Sequence, residues 1–398
     1  MQQSALAAAA HVRFELDLLP GESSTAARIV VHQDSAALRE LVLDGTRLQK
    51  ATGDGDIALD KGQLRWVPPP TGGTLGYQVS LSHRRQAKHA ARNDAWVGER
   101  FAVFRGEDAF PIDAWKRSRN SSLTGELSVR RPDKWSVITP YLPDALGRLA
   151  IRNPGKRLAR PIGWIMAGDL GTRRDTIADI EITVTAPRGA RMERVAMLGL
   201  LRWTLPQLVQ QLTAAQTRPR YISIVAAGSP LWLGALSAPN SIFVNADRPL
   251  ISENGTSTIV HEMVHVLLAD LDTPREQDWI DEGLAEYLSL RALKDSGTIS
   301  AARYEATLAE FRRWGGDVTS LRTPSSTGPV TARAVTVFAE LDNELRRLGK
   351  NGQSLAPMVN GLLASQRRVD LATLRLAAHK VLGGDSRALT PAAVPGLD

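Results

Sequence analysis

The chain has 398 residues, 43% hydrophobic and 23% charged, a folded-protein composition at a length beyond what one hydrophobic core serves. It has no cysteine, so disulfides, thiolate metal sites and cysteine nucleophiles are excluded together, and any metal must be held by His, Asp or Glu. The net charge is +7, but the basic residues are scattered; the clusters at residues 82–92 and 152–161 lack the interleaved aromatics that stack bases, so no nucleic-acid partner is expected.

The start, MQQSALAAAAHVRF, has no basic segment ahead of its Ala-rich stretch, so it is not an intact secretory signal. It is like the small-residue neighbourhood of a removed one, and a periplasmic or secreted location is expected ahead of a cytoplasmic one. From HVRFELDLLP, where Val12, Phe14, Leu16 and Leu18 share one side, to KWSVITP, short alternating stretches are separated by turn signals such as GDGD and PPPTGG. This predicts an N-terminal β-sandwich domain over residues 1–157, closed by the Pro- and Arg-rich NPGKRLARP. More strands follow in PIGWIMAGDLG and DIEITVTAP. Near residue 190 the period changes, and RMERVAMLGLLRWTLPQLVQQL reads as an amphipathic helix that Pro206 should kink. RYISIVAA and NSIFVNA are strands flanking a loop, GSPLWLGALSAP. A helix over TIVHEMVHVLL comes next, with Ser252, Asn254 or Thr256 as its cap, and then a helix over DWIDEGLAEYLSLRAL that Asp278 can cap. Residues 158–300, with the HEMVH helix, form the second expected domain and residues 301–398 a C-terminal helical region. No apolar run reaches the roughly 18 residues of a transmembrane segment.

Chemistry concentrates at HEMVH. Between Ile259 and Ala269 the only polar side chains are His261, Glu262 and His265, which at about 100° per residue fall within roughly a quarter turn. Two histidines one helical turn apart can each give a ring nitrogen to one ion. Catalytic zinc typically takes three protein ligands and leaves one position for water, and His-His-Glu is one such set. Glu282 opens the next helix, where an antiparallel return can bring its carboxylate to the same ion, and Glu262 lies to one side of the pair, where it can reach metal-bound water without ligating the metal. The bland alternative is the wet stripe of an amphipathic helix, with Thr258 and Asp272 on the same side. Glu286, one turn beyond Glu282, is placed to accept from the free ring N–H of His261 or His265, or is a solvated neighbour.

HEMVH followed after sixteen residues by the Glu of WIDEGLAEY resembles the gluzincin metallopeptidases, the thermolysin-like clan, and within it the aminopeptidase N-like and glycyl aminopeptidase-like families. In those, a Trp-containing NEG or SEG helix start follows HExxH after usually about eighteen residues. The resemblance implies an α+β multidomain protein with an N-terminal β-sandwich, a thermolysin-like zincin catalytic domain and C-terminal helices. It implies Zn2+ on His261, His265 and Glu282, Glu262 as base, and hydrolysis of peptides or unfolded protein. Two departures bear on this. The family's oxyanion-binding Tyr falls at Thr331, with Arg333 two residues on, so Tyr304, Thr331 and Arg333 are the candidate donors; losing such a donor typically costs roughly 3 to 4 kcal/mol of barrier. LGALSAPN, in the place of the exopeptidases' GAMEN-type strand, has no Glu for a free α-amine, so endo- and exo-cleavage both stay open. An extended substrate is expected to pair beside GALSA. Trp232 and Trp279 are cleft candidates or core residues, and the remaining histidines, 11, 32, 83, 89 and 379, read as structural or surface groups. The competing reading is a catalytically weak or inactive gluzincin-like peptide-binding module; an intact Glu262 favours the enzyme. The sequence does not fix an oligomeric state.

Overall fold

A computed structural model describes residues 8–84, 92–153, 158–212, 218–269, 271–349, 354–365 and 368–397. His89, most of the first basic cluster, residues 1–7 and the expected boundary at residue 157 lie outside these. Contacts divide the chain into two compact units. One comprises Met1–Arg174, Ile182–Arg194 and Tyr221–Arg248, the other Asp175–Glu181, Val195–Arg220 and Pro249–Asp398. Within the first unit Val103, Trp164 and Met166 pack with Val225, Leu231 and Phe243 in one apolar core, which joins residues 221–248 to the strands before them.

In the first unit, alternation does what the sequence pattern implies: in Ala9–Asp17 every second residue is buried, so Val12, Phe14 and Leu16 enter the core. That strand pairs antiparallel with Thr25–Gln33 and parallel with Ser122–Arg130 in a six-stranded sheet. A four-stranded sheet runs in the order Ile112–Arg117, Leu38–Asp44, Gln63–Val67, Asp56–Asp60. A five-stranded sheet includes Phe101–Arg105 and Trp164–Gly168, and a single helical turn, α1 (Gly106–Ala109), follows the first of these. The three sheets share one core, to which Phe14, Trp66 and Phe104 contribute buried side chains. Each such burial stabilises by about 1.5–3 kcal/mol. In a further five-stranded sheet Tyr221–Ala227 pairs parallel with Ser241–Asn245, and both strands are buried throughout. Ala235–Ala238, expected within a loop, pairs antiparallel with Ser241–Asn245 and ends that sheet's strand order.

Apart from strand residues at 175–177 and 180–181, the second unit is mainly helical. Its long helices are α2 (Arg194–Gln211), α3 (Thr258–Leu267), α4 (Trp279–Asp295), α5 (Ala301–Trp314), α6 (Pro329–Leu348), α7 (Leu355–Ser365) and α8 (Leu371–Leu382). Helix α2 continues through Pro206. The carbonyl that proline leaves unpaired is that of Arg202, an exposed residue, where water can serve it. The expected caps are not used as such. Ser252, Asn254 and Thr256 bond to one another in the turn before α3, and Gly255 supplies that turn's positive φ of 83°. Ser257 precedes α3 but donates to the Leu250 carbonyl at 2.6 Å. The Asp278 carboxylate accepts from Ser326 N–H at 2.6 Å instead of from α4.

Helices α4 and α6 pack closely because Gly283 has no side chain: a Cβ there would lie 2.6 Å from Ala334 Cβ and 3.0 Å from the Phe338 ring. One turn away Trp279, fully buried, stacks on Phe338 with centroids 5.7 Å apart. Further along, buried Asp342 of α6 accepts from Tyr287 Oη of α4 at 2.6 Å, Arg346 Nε at 3.0 Å and Leu355 N of α7 at 2.5 Å. Among the described residues no helix is long and apolar enough to cross a membrane.

Candidate metal centre

Helix α3 sits in apolar surroundings because five of its six aliphatic and methionine side chains, Ile259, Val260, Met263, Val264 and Leu267, are at most 4% exposed. Its polar edge meets the first two turns of α4, and the pairing order reveals the packing direction. His261, the earlier histidine, contacts Glu286, the later carboxylate; His265, the later histidine, contacts Asp281, the earlier one. Glu282 lies between and reaches both rings. The two helices therefore run antiparallel at this contact, as the sequence reading required.

The distances define a compact donor set. His261 Nε2 is 3.1 Å from His265 Nε2 and 3.4 Å from Glu282 Oε2, and His265 Nε2 is 3.6 Å from Glu282 Oε1. Tetrahedral bonds of about 2.0–2.1 Å require donors roughly 3.3 Å apart, so these three side chains suit a small tetrahedral cation. Among the described residues this is the one group of three with metal-ligand character. The outward nitrogens are backed by acids: His261 Nδ1 lies 2.8 Å from Glu286 Oε2, and His265 Nδ1 lies 3.3 Å from Asp281 Oδ2. The Glu286 contact is short but out of line for a hydrogen bond, so charge rather than direction holds His261 there. With ring protons at Nδ1, both Nε2 lone pairs turn inward and repel at 3.1 Å unless a cation or proton lies between them.

The electrostatics agree. Burial works against a charged imidazole at His261, yet Glu282, Glu286 and Glu262 outweigh it and hold the pKa well above the ordinary value. At His265 burial is likewise outweighed, chiefly by Asp281, and the pKa is raised. Burial alone would raise the Glu282 pKa, but the two histidines bring it below the usual carboxylate range. The cluster is thus an excess of negative charge arranged around a place for a cation.

Glu262 is 7% exposed and close enough for its charge to act on His261. The three oxyanion candidates fare differently. Tyr304 is buried against the far half of α4, with Lys294 Nζ 4.6 Å from its ring centroid and Arg291 at 5.8 Å. Arg291 lies about 13 Å along α4 from Glu282 at 1.5 Å per residue, so Tyr304 is not part of the cluster. Arg333 donates to the Ala393 and Ala392 carbonyls at 2.8 and 3.3 Å and ties down the C-terminal segment. Thr331 is half-buried on α6, one turn before the Ala334 that touches Gly283, hence on the face toward the start of α4. Trp279 is core; Trp232 packs partly buried on the first unit's apolar cluster. Asp281 escaped the sequence reading, although its place immediately before Glu282, on a helix antiparallel to the histidines, was the available signal.

No protein-family model matches the chain, and no curated protein matches it by sequence. Solved structures do. An aminopeptidase N family protein from Idiomarina loihiensis superposes with a TM-score of 0.66 at 14% identity, over 89% of this chain and 70% of its own. A two-domain M1 zinc metallopeptidase mutant bound to L-tryptophan gives 0.65 at 16% identity, over 99% and 95%. A mutant of the M1 zinc metallopeptidase from Deinococcus radiodurans, bound to a Tyr-Ser-Ala substrate, gives 0.62 at 16% identity, over 98% and 93%. What is shared at these identities is the fold, and this chain has the multidomain α+β fold of the M1 zinc metallopeptidases.

Proposed function

We propose that the protein is a zinc-dependent peptide hydrolase with His261, His265 and Glu282 as metal ligands and Glu262 as general base. The observation that carries this is the 3.1–3.6 Å spacing of the three donor groups, with Glu262 adjacent in sequence to the first. Zinc held there supplies a Lewis acid that acidifies water and polarises a carbonyl. Glu262 accepts the proton of the attacking water and returns it to the leaving amine, so no covalent intermediate forms. Its burial keeps bulk water away from that transfer. Glu286 holds His261 from behind and keeps its Nε2 turned inward. With Tyr304 and Arg333 committed elsewhere, Thr331 is the remaining donor of the three for the oxyanion. Peptides or unfolded protein segments are the substrate class, a reading supported by the tripeptide held by the Deinococcus enzyme.

The test compares wild type with Glu262→Gln for zinc content and for cleavage of a quenched peptide library. Equal zinc with turnover lower by about 10²–10⁴ in the variant is expected. A zinc-loaded wild type inert on every peptide, endo and exo, rejects the enzyme and leaves a peptide-binding module.

A further inference from the structure

Asp281 stands one residue before a metal-ligand candidate, yet its side chain turns to the other side of the cluster. Its Oδ2 lies 3.3 Å from Nδ1 of His265, the nitrogen facing away from the donor centre. The antiparallel crossing of α3 and α4 makes this possible: five positions separate Asp281 from Glu286, four separate the two histidines, and each histidine receives one carboxylate at its back. We propose that Asp281 is a positioning residue that fixes the His265 ring with Nε2 toward the metal and, by its charge, strengthens that nitrogen as a ligand. This rests on the metal reading of the same cluster and adds to it a determinant of metal affinity.

The size of the effect follows from exposure. Carboxylates behind metal-bound histidines are typically worth about 10–100-fold in metal affinity. The Asp281 side chain is 34% exposed, against 15% for Glu286, so solvent screens more of its charge and the lower end of that range applies. A carboxylate in a helix's first turn also stabilises the helix by itself. The stability of the metal-free protein is therefore the control that separates the two roles.

The experiment measures zinc affinity by competition with a chromophoric chelator, on full-length wild type, Asp281→Asn and Asp281→Ala. The melting temperature of each metal-free protein and the visible absorption of each cobalt-substituted protein are recorded alongside. The expected result is about tenfold weaker zinc binding in Asp281→Asn and a larger loss, toward about 100-fold, in Asp281→Ala. The cobalt spectrum shifts, while metal-free stability falls only by the small amount that a first-turn carboxylate is worth, less than the loss in zinc affinity. Wild-type affinity in Asp281→Asn overturns the proposal. So does an affinity loss matched by an equal loss of metal-free stability, since that is a purely structural role. A wild type that binds no zinc overturns the metal reading itself, and is distinguished by needing no variant to show it.

Discussion

Replacing Gly283 by Ala sets two effects of known size against each other. In an exposed helix the change would stabilise by about 1 kcal/mol, because alanine is the better helix former. Here the added Cβ would meet Ala334 Cβ at 2.6 Å and two Phe338 ring carbons at 3.0 and 3.1 Å. Carbon atoms pack at about 3.5–4.0 Å, so α4 and α6 must separate by roughly 1 Å at this level. Neither neighbour can yield: Ala334 has no rotamer to change, and Phe338 is fully buried and stacked on Trp279. Overpacking of this kind costs about 1–3 kcal/mol, and with no soft neighbour the upper part of that range applies. Gly283→Ala is therefore expected to destabilise by about 1–2 kcal/mol net. The displacement falls on the peptide next to Glu282, so zinc affinity falls with stability. Urea denaturation with and without zinc, together with chelator competition, measures both. Adding Ala334→Gly to the variant should recover part of each loss. A Gly283→Ala protein more stable than wild type, with unchanged zinc affinity, would mean that helix propensity alone decides the outcome and that the close approach carries no weight.

Asp342→Ala removes the acceptor shared by Tyr287, Arg346 and the Leu355 N–H, and should cost about 3–5 kcal/mol in denaturant titration; a loss under about 1 kcal/mol contradicts its role as the joint of α4, α6 and α7. Thr331→Val should lower kcat by about 10²-fold with KM little changed, and unaltered kcat dismisses Thr331 as the oxyanion donor. The metal-free protein should lose stability as pH rises. The folded His261 pKa lies well above its unfolded value near 6.5, so its contribution is fully present below 6.5 and is lost as pH climbs through the raised value. Melting temperatures across neutral to alkaline pH, with and without zinc, test this: a metal-free curve that instead rises above pH 6.5 contradicts the sign.

The sequence was most readable where one helix carries both pattern and chemistry. The apolar run around His261 and His265 could only be a buried helix with one polar edge, and the antiparallel return that brings up Glu282 follows from a short link to a second strong helix. Alternation in HVRFELDLLP likewise predicted its buried side. What stayed hidden were choices made by tertiary partners. Asp278 looks like a cap from its position alone, but its carboxylate serves Ser326, a residue remote in sequence. Tyr304 and Arg333 have suitable donor chemistry, and only packing shows that Lys294 and the C-terminal carbonyls claim them. The pairing of Trp164 with Phe243 in one core stayed hidden for the same reason, since no local window contains both.

The donor groups all fall within residues 261–282, on neighbouring helices joined by a short connection. An ion bound to them is thus a clasp on a small loop, and the chain entropy it removes is small compared with that of a link between distant segments. Stripping the ion should loosen the clasped pair before anything else. Faster amide exchange confined to α3 and the opening turns of α4, while the strands of the first unit keep their protection, would be its signature.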